Sequence, residues 1–278
     1  MSRFSEIVKR VRGDGVARAL AKRQMEQLKR IDARLTRIEQ LLEQSAGVDY
    51  RATIDRGSWQ GAAQEGELAF HKTNAGFRGS EGVWQAAVDR DWRVAGFTPD
   101  AWRGKTVLDV GAGSRLRSLW FEDVELLVLE PLADRFRKEV EWCDLDRAQE
   151  IYSLPGEEFV PQLEKRCDLV VSINALDHGF DIAQSFRNIR RYLKDDGEAF
   201  LSFDMHTKPD HMHPLVLNNE MVLEMYAEAG FQVVKCEPAR RYHGAVGPSA
   251  YHYWLKPLPV EEVAVPRSRS AQEVTEPA

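Results

Sequence analysis

The chain has 278 residues, 43% of them hydrophobic and 29% charged, with a net charge of −6. That length suits one large α/β domain with an accessory segment rather than two enzyme domains, and no stretch approaches the roughly 18 apolar residues of a membrane span. The basic opening MSRFSEIVKRVRGDG has neither an apolar core nor a small-residue cleavage site, so a cytoplasmic location is expected; Cys143, Cys167 and Cys236 lack metal or redox spacing and read as buried apolar residues.

Residues 1–48 read as a basic helical arm. Leu28, Ile31, Leu35, Ile38 and Leu42 recur at spacings of three and four, an a/d seam of about two heptads that could pair with a second copy or a partner protein. Upstream, Phe4, Ile7, Val8 and Val11 oppose Lys9, Arg10 and Arg12, a face suited to peripheral contact with the inner membrane surface; a solvated basic tail fits the same residues. Residues 49–104, rich in glycine and aromatics, read as a cap of short helices and loops. Residues 105–258 alternate apolar strand patterns with helical ones: strands at Thr106–Val110, Glu125–Leu129, Gln149–Tyr152, Asp168–Ile173 and Ala199–Phe203, a short helix at about Ser114–Phe121, a strongly striped helix carrying Ile182, Phe186, Ile189 and Leu193 and stopped at Gly197, and another from about Asn219 to Ala229. Such alternation predicts βαβ units and a parallel sheet, with Phe231–Cys236 and Ala250–Leu255 as an antiparallel pair at its edge. Residues 259–278 are too polar to offset ordering entropy and read as a disordered tail.

The first strand ends in Gly111-Ala112-Gly113, and glycines there let a ligand approach the backbone at the carboxyl edge of the sheet. Glu130 ends the next strand, 21 residues after Asp109, where a carboxylate can accept both hydroxyls of a ribose. A dinucleotide fingerprint requires a third glycine, but Leu116 follows instead, and Asp109 would repel a pyrophosphate while suiting an ammonium.

The segment VLDVGAG resembles motif I of the class I S-adenosylmethionine (SAM) methyltransferases, and residues 167–203 are similar to that family's fourth strand, following helix and fifth strand. Arg115 stands where the motif's last glycine would be. The resemblance implies a doubly wound, seven-stranded, mostly parallel Rossmann-like sheet, with SAM as cofactor. It also implies that Asp109, Gly111 and Gly113 meet the methionyl end, Glu130 the ribose, Pro131 and Leu132 the adenosine, Ser153 and Leu154 the adenine, and Asn174 the sulfonium side.

Methyl transfer is an in-line displacement, so the protein supplies alignment and, for a hydroxyl acceptor, a base. His178 is the first candidate, beside Asp177 and Asp181. The loop after the fifth strand adds His206 and His213, as base or orienting groups, among Asp204, Asp210 and His211. No spacing there fits a helical metal site, so no metal is expected; His71 and Arg78 could close over the acceptor. The expected activity is O-methylation of a hydroxyl on a glycan or lipid-linked saccharide, with Trp59, Trp84, Trp92 and Tyr242 available to stack on sugar. The alternatives are a small-molecule acceptor such as a quinone, or a non-catalytic scaffold. Nucleic acid is not an expected partner, because the basic residues lie in the arm and the domain is acidic.

Overall fold

Seven strands form one sheet in the order β3-β2-β1-β4-β5-β7-β6. They are β1 (Thr106–Val110), β2 (Glu125–Leu129), β3 (Glu150–Tyr152), β4 (Cys167–Ile173), β5 (Leu193–Asp204), β6 (Phe231–Pro238) and β7 (Ala250–Pro257). A computed structural model of the chain describes residues 50–239 and 250–259. The expected arm with its seam and lipid-facing residues, the tail from residue 260 and Tyr242 lie outside them.

The first five strands pair in parallel, and β7 runs antiparallel to both β5 and β6. The central strands are apolar in both alternating positions because both faces are covered. Leu108, Leu127, Leu129 and Val170 point into one core, and Val107, Val128, Leu169 and Val171 into the other.

The first core is closed by α4 (Ile182–Tyr192) and α5 (Asn219–Glu228). Asp181 caps α4 by accepting from the Gln184 amide at 2.9 Å, and Ile182, Phe186, Ile189 and Tyr192 are fully buried. This helix ends at Tyr192, so Leu193, expected on its stripe, already opens β5. That strand is longer than its apolar segment predicts. Gly197, expected as a stop signal, lies inside it, at a register irregularity where a Cβ would stand 3.0 Å from the Cys167 carbonyl.

The second core is closed by α2 (Glu81–Val94) and α3 (Ala133–Glu139). Trp84 and Trp92 of α2 are buried there, Trp92 among Phe97, Phe121 and Phe200 with its indole N–H donating to the Arg117 carbonyl at 2.8 Å. They are therefore structural, and the expectation that they stack on sugar is withdrawn.

Ahead of α2, α1 (Gln64–Thr73) continues a helical run through Arg56–Ser58 and a π turn at Trp59–Ala63. Antiparallel bridges Arg51↔Val216 and Thr53↔Asp181 tie its leading strand segment to the loops after β5 and β4. The described residues, 50–239 and 250–259, thus pack in one unit with the sheet. No helix among the described residues is long and apolar enough to cross a membrane.

The helix expected at Ser114–Phe121 does not form; one 3-10 turn at Ser118–Trp120 takes its place. Asp144 accepts from the Leu116 amide at 2.8 Å, Asp109 accepts from the Ser118 hydroxyl at 2.6 Å, and Arg115 reaches back to the Arg78 carbonyl and Glu81.

Replacing Phe186 with Ala removes a fully buried ring between α4 and the sheet. We expect a loss of about 3–5 kcal/mol, read as a shift of the urea midpoint; a loss below about 1 kcal/mol would show that this face is not closed by α4.

Candidate active site

The carboxyl ends of β1, β2, β4 and β5 open into a cavity of about 1000 Å³, roofed by α1 and the loop after β5. Its two halves differ in chemistry.

In the first half, Gly111 and Gly113 take left-handed backbone at φ of 70° and 68°. A Cβ on Gly111 would lie 2.3 Å from that of Ala175, and one on Gly113 2.6 Å from Cε1 of His71, so neither position tolerates a side chain. His71 is buried, with Nδ1 accepting from the Ser114 amide at 3.1 Å and Nε2 paired with Glu67 at 3.0 Å. Burial holds this imidazole below its usual pKa, and the amide contact fixes the proton on Nε2.

Glu130 sits beneath the turn, accepting from the Gly113 amide at 2.8 Å and the Leu132 amide at 2.9 Å. A carboxylate offers about four lone pairs, so acceptor capacity toward the cavity remains. Burial pushes its pKa up to about 7, and that of Asp109 to about 6. Pro131 and Asn174 also line the wall, Asn174 in left-handed backbone with its amide donating to the Ser202 carbonyl at 2.6 Å.

Three expected contacts fall elsewhere. Leu132 is buried in the second core, Leu154 packs on the first, and Ser153 is not on the cavity wall. With β3 only three residues long, the chain turns inward after Tyr152, and Pro155, Gly156 and Glu157 form the wall instead. Glu157 is buried and accepts from the Phe180 and Asp181 amides at 2.7 and 3.1 Å, pinning the loop after β4.

Arg115 leaves the cavity altogether. Its guanidinium stacks over Trp84 and bonds to the Arg78 carbonyl, which orients Arg78 toward the glycine turn. Arg78 rests on Phe70 and Trp84, and its Nε has no hydrogen-bond partner.

The other half gathers all three predicted histidines around Asp177, which the sequence marks only as a neighbour of His178. Asp177 is fully buried; Oδ2 pairs with His206 Nε2 at 2.9 Å and Oδ1 has no hydrogen-bond partner. His213 stacks on His206 with ring centres 4.2 Å apart and lies 4.3 Å from His178. Its Nδ1 is 3.0 Å from Asp210. Burial, then the charge of His178, hold His213 below the usual histidine pKa.

His178 does not suit the role of base. Nδ1 lies 3.3 Å from Glu67 Oε2, an ion-pair contact rather than an aligned hydrogen bond, and Nε2 is 3.9 Å from Asp177. Burial alone would lower its pKa, but Asp177, Glu67 and Asp204 outweigh burial and raise it to about 9, so the ring already carries its proton at neutral pH. Trp59, also buried, donates to the His178 carbonyl at 2.7 Å and fixes that loop. Glu67 gave no signal in the sequence and Asp177 only that of a neighbour to His178, because only the docking of α1 and the stacking of two loops bring them together at the site.

A family profile described as a methyltransferase domain matches residues 90–229. This chain belongs to that family, the class I methyltransferases, and it is an enzyme that uses SAM. No curated protein matches the sequence. Among solved structures, the fold is similar to a SAM-dependent methyltransferase from Leishmania major (TM-score 0.52, 17% identity, covering 73% of this chain and 87% of that one). It is also similar to a Pyrococcus horikoshii protein (0.51, 17%, 68% and 98%) and to a chain from the Haloferax volcanii complex of the Trm112 activator with a methyltransferase (0.50, 16%, 69% and 97%).

Because Glu130 titrates near 7 in the fold against 4.5 when free, its protonated form stabilises the donor-free protein below about pH 4.5. That contribution fades as the pH rises through about 7. A cationic donor favours the carboxylate, so SAM binding should tighten from pH 6 to 8 and release a proton at pH 6. Calorimetry in two buffers of different ionisation enthalpy measures this; pH-independent affinity with no proton release would contradict the assignment.

Proposed function

We propose that the chain transfers the methyl group to a hydroxyl of a saccharide, as in a glycan or lipid-linked sugar, with His206 as the base. The observation that carries this reading is the 2.9 Å contact between His206 and the buried Asp177, across the cavity from the glycine turn and Glu130.

The residues of the first half fit the donor. Gly111 and Gly113 leave the backbone open, Glu130 is placed for ribose hydroxyls, and the unpaired Nε of Arg78 suits the methionyl carboxylate. Bound there, SAM supplies a methyl group on a sulfonium centre.

On the acceptor side, Asp177 holds the His206 proton on Nε2, which leaves Nδ1 to take the hydroxyl proton. Asp177 then stabilises the imidazolium that results. Glu67 and Asp204 share this wall with the histidines, and these hydrogen-bonding groups suit a hydroxyl-rich acceptor.

Replacing His206 with Ala should leave SAM affinity within about twofold and lower turnover roughly 100-fold or more, the scale of general-base catalysis. Isotope-labelled methyl transfer to a panel of saccharides and quinols tests both parts. Transfer to quinols alone would overturn the saccharide acceptor, and full turnover without His206 would overturn the base.

A further inference from the structure

Asp177 uses one oxygen to hold His206; the other is fully buried and has no hydrogen-bond partner. An orphaned buried carboxylate oxygen is costly unless something answers it. Two imidazoles, those of His178 and His213, come close enough to Asp177 for one ligand atom of each to share that something.

His178 turns Nδ1 toward Glu67 at 3.3 Å, and its Nε2, without a hydrogen bond, stands 3.9 Å from Oδ2 of Asp177, the oxygen that also holds His206. His213 commits Nδ1 to Asp210 at 3.0 Å, which leaves Nε2 as its remaining donor atom. Each ring thus sets one nitrogen against a carboxylate other than Asp177, the arrangement that orients histidine toward a metal and raises its basicity. One ligand atom from each of Asp177, His178 and His213 lies within 4.8 Å of the other two. Ligands about 2.1 Å from a shared ion stand roughly 3 to 4.3 Å apart, so closing on an ion needs small side-chain shifts and displacement of the proton from His178 Nε2.

We infer that Asp177, His178 and His213 form a binding site for a divalent first-row transition-metal ion, zinc, manganese or cobalt in character, on the acceptor wall of the cavity. Two imidazoles with one carboxylate suit such ions rather than magnesium or calcium, and three protein ligands leave coordination positions for an outside oxygen. Asp204 and His206 share Asp177 in a second trio and flank the open side. The sequence pointed away from a metal because the loop at 204–213 carries no ligand spacing by itself; the missing ligands come from the loop after β4.

The site is defined independently of the acceptor. The ion's use, drawing an acceptor hydroxyl into coordination and lowering its pKa beside His206, rests on the hydroxyl reading above.

The test titrates the full chain, stripped of metal, with Co2+, Zn2+ and Mn2+, following Co2+ by visible absorption and all three by calorimetry. One equivalent per chain should bind. His178→Ala and His213→Ala should each weaken binding at least tenfold, and Asp210→Asn, which alters only the backing carboxylate, about 10- to 100-fold. His211→Ala, on the same loop but exposed, should bind as the parent does. SAM binding measured in every variant reports that the fold is intact.

No binding of any of the three ions by the folded chain, or equal affinity in His178→Ala and His213→Ala, overturns the site. Methyl transfer undiminished in metal-free protein overturns the ion's part in catalysis and leaves the hydroxyl reading standing. Stoichiometric binding with no transfer to any hydroxyl supports the site while overturning that reading.

Discussion

His71 can approach the turn after β1 only because Gly113 has no side chain, and that contact organises the cavity. The ring lies where a Cβ would be, accepts from the next amide, and donates its Nε2–H in a hydrogen bond to Glu67. A helix from outside the sheet is thereby locked to the backbone that faces the ligand. Glu67 then extends from the same helix to His178, so one bridge joins the two halves of the cavity. Were the imidazole charged, Nδ1 could not accept from the amide. Burial, by holding it neutral, maintains the geometry.

The buried carboxylates divide accordingly. Asp109 and Glu130 have no cation close enough to offset burial, and their pKa values rise. Glu67 and Asp177 are buried as well, yet histidines hold both below the ordinary carboxylate range. The donor half can therefore become more anionic when a cation arrives, while the acceptor half is anionic from the start. That contrast in environment, within one cavity, separates a binding role from a proton-handling one.

The sheet was legible because its central strands carry continuous apolar runs, as at residues 126–129 and 169–171, and Gly111, Gly113, Asp109 and Glu130 could be placed on one wall because local spacing sets where they stand. Other features depended on distant partners. In place of the expected short helix, the chain after the glycine turn is held by Asp144, 28 residues away, and by the reach of Arg115. Ser153 and Leu154 were misplaced because a strand of three residues sets the register of the loop beyond it only weakly. The histidines were identifiable as reactive types, but their division of labour was not. That division depends on Asp177 and Glu67, whose significance arises only when two loops and a helix converge.

The loss of a helix after β1 has one more consequence. A single 3-10 turn presents almost none of the aligned amides that a helix N-terminus offers an anion, so negative charge on a ligand must be met by a side chain. On the proposed donor reading that side chain is Arg78, which lies ahead of residues 90–229, the part matched to the family. Gripping the donor and ordering the segment between α1 and α2 are then one equilibrium. By reciprocity, whatever loosens that segment loosens the donor, and a filled donor half holds the acceptor roof in place from below.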